Sequence, residues 1–500
     1  MMAEQISTME YSLKALLRGF ANVSDAMDCI VTGLSIDSRH IAPGDLFVAC
    51  AGSNVQGYEF IEQAVQSGAI AIVVDSEDSA NNIERLDAVP VIAIDDLKNK
   101  LGLIADRFYD HPSQEMFVIG ITGTNGKTSC AHFLSQALHS ESEPCGMIGT
   151  LGNGLYGDIK PGTHTTPLAI PLHGLISDIR DAGGIRLVME VSSHGLEQNR
   201  IGGVQFDLAL FTNLSRDHLD YHGNMENYGK AKRQLFQIEG LQYAVINADD
   251  AFGQTLLKDI SDAVSVVAYS LSGTALQGIS TIRATQVTLD ENGITMQVDT
   301  PRGSGELHSS LLGRFNAENL LASLSCLLEM GLDLEEALER LAKVSTVPGR
   351  MERIKGNHGP VVIVDYAHTP DALEHVLKAA REHCTGKLWC VFGCGGDRDQ
   401  GKRPLMGEAA VTLSDHVIVT DDNPRHEDPK KIVNGILSGM ENREHVSIEH
   451  DRAMAIRNAI EQADKNDLVL IAGKGHEDYQ IIGDEKRSFS DREYVKVLLT

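Results

Sequence analysis

The sequence predicts an α/β protein of three domains, and three observations support this fold class. The chain has 500 residues, enough for about three domains of about 100–200 residues each. Short apolar runs alternate with amphipathic helical segments through most of the chain, which is typical of parallel sheets covered by helices. Polar, glycine-rich clusters follow several of these runs, at the strand ends where α/β sheets bind ligands.

Turn signals divide the pattern at two places, His111-Pro112-Ser113 and Pro348-Gly349-Arg350. We therefore predict three domains. They are a small mixed α/β N-terminal domain over residues 1–110, a central P-loop ATPase-like parallel-sheet domain over 111–346, and a C-terminal Rossmann-like, doubly wound domain over 347–500.

Apolar periodicity predicts the elements of each domain. In the first domain these are helices at Ser12–Phe20, Tyr58–Gln66 and Leu97–Tyr109 and strands at Gly33–Ile36, Asp45–Cys50 and Ala69–Val74. In the second they are strands at Met116–Thr122, Ile185–Val191, Leu208–Thr212 and Tyr243–Ile246, an antiparallel excursion around Ile294–Val298, and helices at Cys130–Leu138 and Asn319–Met330. In the third, strand and helix alternate over Val361–Asp365, Ala372–Ala380, Leu388–Phe392, Leu405–Val411, His416–Thr420, Lys430–Gly439, Ala453–Ala463 and Asp467–Ala472.

Composition limits the possible partners. Lys and Arg number 43 against 70 Asp and Glu, a net charge of −27, which argues against a nucleic-acid or anionic-membrane partner. The eight cysteines form no CxxC pair, as expected of free thiols in a reducing cytosol. No apolar run approaches the ~18 residues of a membrane span, and the N-terminus does not resemble a signal peptide. We expect a cytoplasmic monomer that acts on small molecules.

The segment Gly120–Ser129 predicts a nucleotide site. It links a buried strand to a helix, and backbone N–H groups of such a loop close around phosphate oxygens at a helix N-terminus. Lys127 is expected to reach the β- and γ-phosphates and the Thr128 hydroxyl to bind Mg²⁺. The spacing departs from the usual P-loop, which has glycine where Ile121 stands here. The candidate ATP-binding residues of the loop are Gly123, Thr124, Asn125, Gly126, Lys127, Thr128 and Ser129.

Polar residues after two further strands predict a cation beside the phosphates. Glu190 ends one strand and His218 follows the next, and carboxylate ligands suit Mg²⁺. A zinc cluster of His218, Asp220 and His222 is an alternative, and an ordinary capping or core hydrogen bond is a third interpretation of each histidine.

The third domain predicts a second ligand site. Four polar clusters follow successive strands: Asp365-Tyr366-Ala367-His368, Gly393-Cys394-Gly395-Gly396-Asp397-Arg398, Asp422-Asn423-Pro424-Arg425 and Gly473-Lys474-Gly475-His476-Glu477. One such cluster is explained by turn chemistry, whereas four at one edge of a sheet indicate a binding site.

These residues resemble the ATP-dependent Mur ligases, which build the peptide stem of peptidoglycan on a UDP-linked sugar. The resemblance extends from Asp37-Ser38-Arg39 to Glu477. It rests on Gly123–Thr128, Glu190–Leu196, Asn213–Gly223, Pro348–Arg350 and Asp365–Pro370. Asp422-Asn423-Pro424-Arg425 is similar to the motif of members that add meso-diaminopimelate. The unusual glycine spacing is the family's own form of the loop.

The resemblance implies a ligation in two steps. The ATP γ-phosphoryl group would pass to the D-glutamate side-chain carboxylate of UDP-MurNAc-L-Ala-D-Glu, and a diaminopimelate amine would then attack the acyl phosphate. Two Mg²⁺ ions are implied, held by Thr128, Glu190, His218 and Lys232. Lys232, and not Lys230, would carry the family's carbamate, against the alternative of an ordinary surface lysine. Lys127, Lys232, Glu190 and His218 are the implied catalytic residues.

The resemblance also implies the remaining contacts. Asn316, Arg350 and Asp365 would contact the nucleotide. Ile36, Ser38, Ser53, Asn54 and Val55 would hold the UDP group, and His164, Thr165, Thr166, Ser192, Gln198 and Arg200 the muramoyl-dipeptide. Arg398, Asp422, Asn423, Pro424, Arg425, Gly473 and Glu477 would bind diaminopimelate, whose distal carboxylate suits the guanidinium of Arg425.

Two alternatives remain at this stage. A sister ligase that adds L-lysine or glutamate, including a folylpolyglutamate synthase, shares most of these motifs. A P-loop switch protein that hydrolyses nucleotide only to change shape shares the glycine loop, although it needs no second substrate site.

Overall fold

The computed structural model describes residues 10–50, 57–79, 89–356 and 359–500. The chain divides into two compact units, Met1–Val267 and Ala268–Thr500.

The first unit begins with two small sheets. Strands β1 (Tyr11–Ser12) and β2 (Ile30–Val31) pair antiparallel. Four parallel strands follow, in the order β3 (Gly33–Ser35), β4 (Asp45–Ala49), β5 (Ala71–Asp75) and β6 (Val91–Ile94). Their helices are α1 (Leu13–Leu16), α2 (Ile61–Gln66), α3 (Ser76–Ser79) and α4 (Leu97–Phe108), with 3₁₀ turns at Ser38–His40, Gly57–Phe60 and Pro112–Glu115.

A third, larger sheet contributes six strands to the first unit. Its strands are β7 (Phe117–Thr122), β8 (Cys145–Gly149), β9 (Gly152–Leu155), β10 (Arg186–Glu190), β11 (Leu208–Phe211) and β12 (Tyr243–Asn247), ordered β12-β11-β7-β10-β8-β9. Pairing is parallel except between β8 and β9. The helices are α5 (Lys127–Leu138), α6 (Ala169–Asp181), α7 (Ser193–Glu197), α8 (Leu219–His222), α9 (Met225–Arg233) and α10 (Ala251–Asp259), with a 3₁₀ turn at Gln234–Gln237. Strand β13 (Ser265–Ser270) spans the boundary between the units.

The second unit opens with an antiparallel meander of β14 (Ser280–Asp290), β15 (Gly293–Thr300) and β16 (Gly303–Ser309). The glycines at the two turns, Gly293 and Gly303, have φ of 131° and 123°, a region that favours glycine. Two helices follow, α11 (Arg314–Glu329) and α12 (Leu334–Ala342).

The rest of the second unit is a doubly wound sheet. Its strands are β17 (Glu352–Ile354), β18 (Val361–Asp365), β19 (Leu388–Phe392), β20 (His416–Val419), β21 (Val446–Ile448) and β22 (Leu468–Ala472), ordered β17-β18-β22-β19-β20-β21. All pairs are parallel except β17 with β18. The helices are α13 (Pro370–Glu382), α14 (Lys402–Leu413), α15 (Pro429–Leu437), α16 (Arg452–Gln462) and α17 (Asp491–Leu499). A hairpin of β23 (Tyr479–Ile482) and β24 (Glu485–Ser488) lies between β22 and α17 in the sequence.

Helices cover both faces of this sheet. Leu377, Met406 and Ile436, from α13, α14 and α15, share one apolar cluster with the sheet. Ile456 from α16 and Val495 from α17 belong to the cluster on the other face. Strands buried on both faces must be apolar throughout, and all five residues of β18, β19 and β22 are buried. This explains the continuous apolar runs in the sequence.

The predicted α/β class is confirmed, with differences in individual elements. The first predicted helix shortens to Leu13–Leu16, since the chain turns through Gly19 at φ 88°. Helix α5 begins at Lys127 and α11 at Arg314, each directly after a glycine. Both helices therefore start earlier in the sequence than predicted. Strand β8, the edge strands β9, β17 and β21 and the β23–β24 hairpin were not predicted, because they are short and weakly patterned. In the described part of the chain, no helix is long and apolar enough to cross a membrane.

Candidate active site

Three strand ends converge at the glycine loop of the first unit. Strand β7 pairs in parallel with β10 and β11, in registers that set Glu190 beside Ile121 and Phe211 beside Thr122. Parallel strands end at one edge of a sheet, so the residues that follow each strand are brought together. The predicted grouping of this loop with Glu190 therefore follows from sheet register.

The loop itself has the form of a phosphate cradle. Gly123 has φ 152°, and a Cβ on it would lie 1.9 Å from Thr212 Oγ1, so only glycine fits. Gly126 has φ 86° and caps α5, whose first residue is Lys127. The loop is braced from the β11 side, where Asn213 Oδ1 accepts a hydrogen bond from Asn125 N at 3.0 Å. An anion here would meet backbone N–H groups at the positive end of a 12-residue helix.

Thr128 and Glu190 lie in contact at the base of the loop. The Thr128 hydroxyl donates to Glu190 Oε2 at 2.8 Å, and Thr150 N donates to Oε1 at 2.8 Å. Burial raises the pKa of the Glu190 carboxyl, while these hydrogen bonds and the charge of Lys127 oppose the rise. A hydroxyl and a carboxylate side by side are the oxygen ligands that Mg²⁺ prefers, so this part of the predicted metal set fits the ion.

Two lysines crowd one carbonyl of the loop. Lys127 Nζ donates to Gly123 O at 2.9 Å, and Lys232 Nζ donates to the same oxygen at 2.8 Å. Lys232 is buried and its ammonium lies 4.5 Å from the centre of the Tyr228 ring. Burial, and secondarily the charge of Lys127, lowers the pKa of Lys232 to about 6. Burial also lowers the pKa of Lys127. Lys232 is thus no surface lysine, unlike Lys230, which pairs with Glu226 in solvent.

His218 lies among other rings. Its backbone is left-handed at φ 52°, its ring centre is 4.9 Å from that of His194, and Asp217 Oδ2 is 3.4 Å from Nε2. The zinc alternative gains no support, because His222 Nε2 hydrogen-bonds Ser193 Oγ at 3.0 Å. Within the described ranges, no group of three or more His, Cys, Asp or Glu side chains is arranged to hold a metal.

The residues predicted for the muramoyl-dipeptide form one hydrogen-bonded network. Thr166 Oγ1 donates to Glu190 O at 2.9 Å and lies 3.1 Å from Ser192 Oγ. Arg200 Nη1 donates to Thr166 O at 2.7 Å, and its Nε and Nη2 donate to Gln198 Oε1 at 2.9 and 2.7 Å.

Two further residues of that set lie beside this network. Thr165 Oγ1 is 3.0 Å from Thr150 Oγ1, which links it to the Glu190 carboxylate, and His164 is exposed beside Thr163.

The residues predicted for the UDP group are only partly described. Ser38 is buried and its hydroxyl donates to Gln63 Oε1 at 2.9 Å, and Ile36 is half-buried at the end of β3. Ser53, Asn54 and Val55 lie outside the described residues.

The residues predicted for the nucleotide in the second unit are held firmly. Asp365, at the end of β18, accepts hydrogen bonds from Met351 N and Ala367 N, both at 2.7 Å. Burial raises its pKa. The Arg350 guanidinium lies 4.9 Å from the Tyr366 ring centre. Asn316 is buried in the first turn of α11, where its Nδ2 donates to Leu312 O at 2.8 Å.

The four polar clusters of the second unit meet at one sheet edge. A Cβ on Gly473, after β22, would lie 2.6 Å from Asp422 Oδ2, after β20. Gly473 N donates to Asp365 O at 3.1 Å, which joins β18 to the group. Asn423 Nδ2 donates to Glu477 Oε2 at 3.0 Å. Asp422 is buried, and burial raises the pKa of its carboxyl. The positive charges of Arg452 and Lys474 oppose this rise.

Arg425 is held in an uncommon backbone conformation. Its φ is 51°, and the β23–β24 hairpin holds it from both sides: Arg425 N donates to Ile481 O at 3.1 Å and Gly483 N donates to Arg425 O at 2.7 Å. Its Nη1 donates to Gly396 O at 2.9 Å, after β19. Non-glycine residues in this conformation cluster at functional sites. The neighbouring Pro424 O leaves no room for a side chain at Gly396, and Arg398 is exposed.

Two contacts of the first unit were missed by sequence reasoning. Thr150 follows the unpredicted β8 and holds Glu190, and Tyr228 has its hydroxyl 3.2 Å from Thr124 Oγ1 and its ring against Lys232. The apolar run Cys145–Gly149 directly before Thr150 was the available signal, although five residues with two glycines rarely identify a strand.

Known proteins match nearly the whole chain. Three protein-family models match: "Mur ligase family, catalytic domain" at residues 30–109, "Mur ligase middle domain" at 121–327 and "Mur ligase, glutamate ligase domain" at 349–475. A protein of Coxiella burnetii named UDP-N-acetylmuramoyl-L-alanyl-D-glutamate--2,6-diaminopimelate ligase is 48% identical over 94% of this chain and 96% of its own length. One of the same name from Alkalilimnicola ehrlichii is 46% identical over 97% of each chain.

Comparison with solved structures agrees with these sequence matches. A structure of UDP-N-acetylmuramoyl-L-alanyl-D-glutamate--2,6-diaminopimelate ligase matches with a TM-score of 0.80 and 35% identity, over 98% of this chain and 99% of that one. The MurF ligase of Thermotoga maritima in complex with ADP shares the fold, with a TM-score of 0.57 and 19% identity over 90% of this chain and 95% of that one. The chain therefore belongs to the Mur ligase family and has its three-domain α/β fold.

Proposed function

We propose that this protein is an ATP-dependent ligase of peptidoglycan precursor synthesis that joins meso-2,6-diaminopimelate to the D-glutamate side-chain carboxylate of UDP-MurNAc-L-Ala-D-Glu. The observation that carries the proposal is the amino-acid pocket of the second unit, where Arg425 is held in a left-handed conformation against Gly396 and Asn423 donates to Glu477. The names of the relatives at 46–48% identity support the same reaction.

The glycine loop supports activation of the carboxylate by ATP. Backbone N–H groups at the start of α5 and the ammonium of Lys127 would bind the phosphates and offset the repulsion between an anionic acceptor and ATP. Mg²⁺, when bound, would neutralise the phosphate oxygens, and Thr128 and Glu190 are the residues whose contact fits the ion. His218 and a carbamate on Lys232 are proposed further ligands. Lys232 is supported by its burial beside the loop and by a pKa lowered to about 6, which leaves the amine neutral at physiological pH.

The pocket of the second unit supports recognition of diaminopimelate. Its distal end carries an ammonium and a carboxylate, for which Glu477 and Arg425 are partners of the right charge. L-lysine lacks the distal carboxylate and would leave Arg425 partly unpaired, so it should be rejected strongly. The phosphorylated intermediate is an acyl phosphate, so the pocket must deliver the amine before water reacts. We further propose a cytoplasmic monomer, since the reaction consumes ATP and a soluble sugar nucleotide.

Phosphate release is the test. The protein is supplied with ATP, Mg²⁺ and UDP-MurNAc-L-Ala-D-Glu, and either meso-diaminopimelate or L-lysine is added. Release with diaminopimelate alone is the expected result. Release with lysine would still indicate a ligase, but it would contradict the proposed specificity for diaminopimelate and favour a sister ligase. Phosphate release that needs no amino acid would instead favour a nucleotide-dependent switch.

A further inference from the structure

Lys474 is a buried, charged residue of the amino-acid pocket. Neither the sequence motifs nor the proposed chemistry gives it a role. It follows Gly473 at the end of β22, and its side chain is fully buried. An ammonium out of water is costly unless oxygen atoms surround it. Lys474 directly follows Gly473, a proposed ligand of the amino acid, so its charge lies next to the proposed site.

The hydrogen-bond partners of the Lys474 ammonium in the described part of the chain are proposed ligands of the amino acid. Its Nζ is 3.1 Å from Glu477 Oε2 and 3.2 Å from Asn423 Oδ1. Lys474 Nζ also lies 5.5 Å from the centre of the Tyr479 ring. The ammonium therefore bridges two strand ends, the one after β20 and the one after β22.

The contacts of Lys474 orient the side chains of Asn423 and Glu477. Asn423 Oδ1 accepts from Lys474 and from Ile481 N at 2.9 Å, so its amide nitrogen is directed to Glu477 Oε2 at 3.0 Å. Glu477 Oε2 thus receives two hydrogen bonds. Within the described part of the chain, no hydrogen bond is formed by Oε1, and the Glu477 side chain keeps 17% of its surface exposed.

We infer that Lys474 is a positioning residue for the incoming amino acid: it holds Glu477 by Oε2 so that Oε1 presents its charge to a substrate ammonium. The inference rests on the proposed amino-acid site. Since the Lys474 side chain is fully buried, its effect on the substrate passes through its two partners. Lys474 acts through the orientation of Glu477: without the hydrogen bond from Lys474, the carboxylate is free to turn away from the substrate ammonium, and diaminopimelate binds less tightly.

Lys474→Met tests the inference, because methionine keeps the apolar stem and removes the charge. The Michaelis constant for diaminopimelate should rise on the order of 10- to 100-fold, with those for ATP and UDP-MurNAc-L-Ala-D-Glu unchanged. Lys474→Gln, which keeps an N–H donor, should lie between wild type and Lys474→Met. Lys486→Met is the matched control, since Lys486 Nζ lies 3.8 Å from the same Tyr479 ring on an exposed side chain and should leave all three constants unchanged.

A double-mutant cycle separates positioning from simple support of the fold. If Lys474 acts through Glu477, then Lys474→Met should add little to the defect of Glu477→Gln. Additive defects, equal rises in all three constants, or an unchanged constant for diaminopimelate would each overturn the inference. So would the loss of folding in both Lys474 variants, which would assign the lysine a purely structural role. Failure of the proposed function is distinct, because wild type itself would then show no turnover with diaminopimelate.

Discussion

Replacing Arg425 by alanine removes the group on which the proposed specificity depends. Nη1 of the guanidinium is committed to Gly396 O at 2.9 Å. Within the described structure Nε and Nη2 make no hydrogen bond, so this edge can hold a carboxylate through two parallel contacts. Alanine keeps the Cβ at φ 51°, so the backbone cost is the same before and after the change.

The expected loss follows from these two contacts. Hydrogen bonds to charged groups contribute about 1.5–3 kcal/mol each, so the pair contributes about 3–6 kcal/mol. That difference corresponds to about a 10²- to 10⁴-fold loss of kcat/KM for diaminopimelate. Lysine never makes these contacts, and the discrimination between the two amino acids should therefore fall by a similar factor.

Phosphate release with each amino acid measures this effect, and the Michaelis constant for ATP should remain unchanged. Arg487→Ala is the matched control, because Arg487 lies on the same hairpin and its exposed side chain pairs with Glu485. Near-normal kcat/KM with diaminopimelate in Arg425→Ala would refute the reasoning. An equal loss of ATP affinity would do so as well, because the defect would then not belong to the amino-acid pocket.

Four further predictions concern the glycine loop and the core. The pKa of Lys232, about 6, leaves a neutral amine above that pH, so ¹³C-bicarbonate should give a carbamate NMR signal at pH 8 and none at pH 5. The unfolded lysine keeps its proton up to its ordinary pKa. The unfolding free energy of the unmodified protein should therefore rise with pH above about 6, by up to about 1.4 kcal/mol per pH unit. Gly123→Ala should weaken ATP binding at least about tenfold in calorimetry, because its Cβ has no room. Gly183→Ala should leave ATP binding unchanged, because Gly183 also has a positive φ, 89°, but a Cβ there would meet open space. Asp491→Ala strands the fully buried charge of Arg452, and urea unfolding should show a loss of about 3–5 kcal/mol, where a loss below about 1 would contradict the buried pair.

Much of the architecture could be predicted because burial on both faces of a parallel strand demands uninterrupted apolar residues. Strands such as Val361–Asp365 and Leu388–Phe392 were predicted with their observed bounds for this reason. Short edge strands escaped prediction, since three or four residues with one exposed face carry too little pattern. The hairpin that holds Arg425 is one of these, with all four residues of Glu485–Ser488 exposed.

The sequence by itself determined the chemistry of this protein: a glycine loop with Lys127 and Thr128, and four polar clusters after four strands. These are local patterns, set by what a backbone turn or a strand end requires. Only the tertiary structure decided which of these groups touch. The contact of Thr128 with Glu190 depends on the register of β7 with β10, and the contact of Lys474 with Asn423 depends on the order of β20 and β22 in the sheet. Such contacts join residues about 50 to 60 positions apart, and the spacing of residues along a chain carries no information about them.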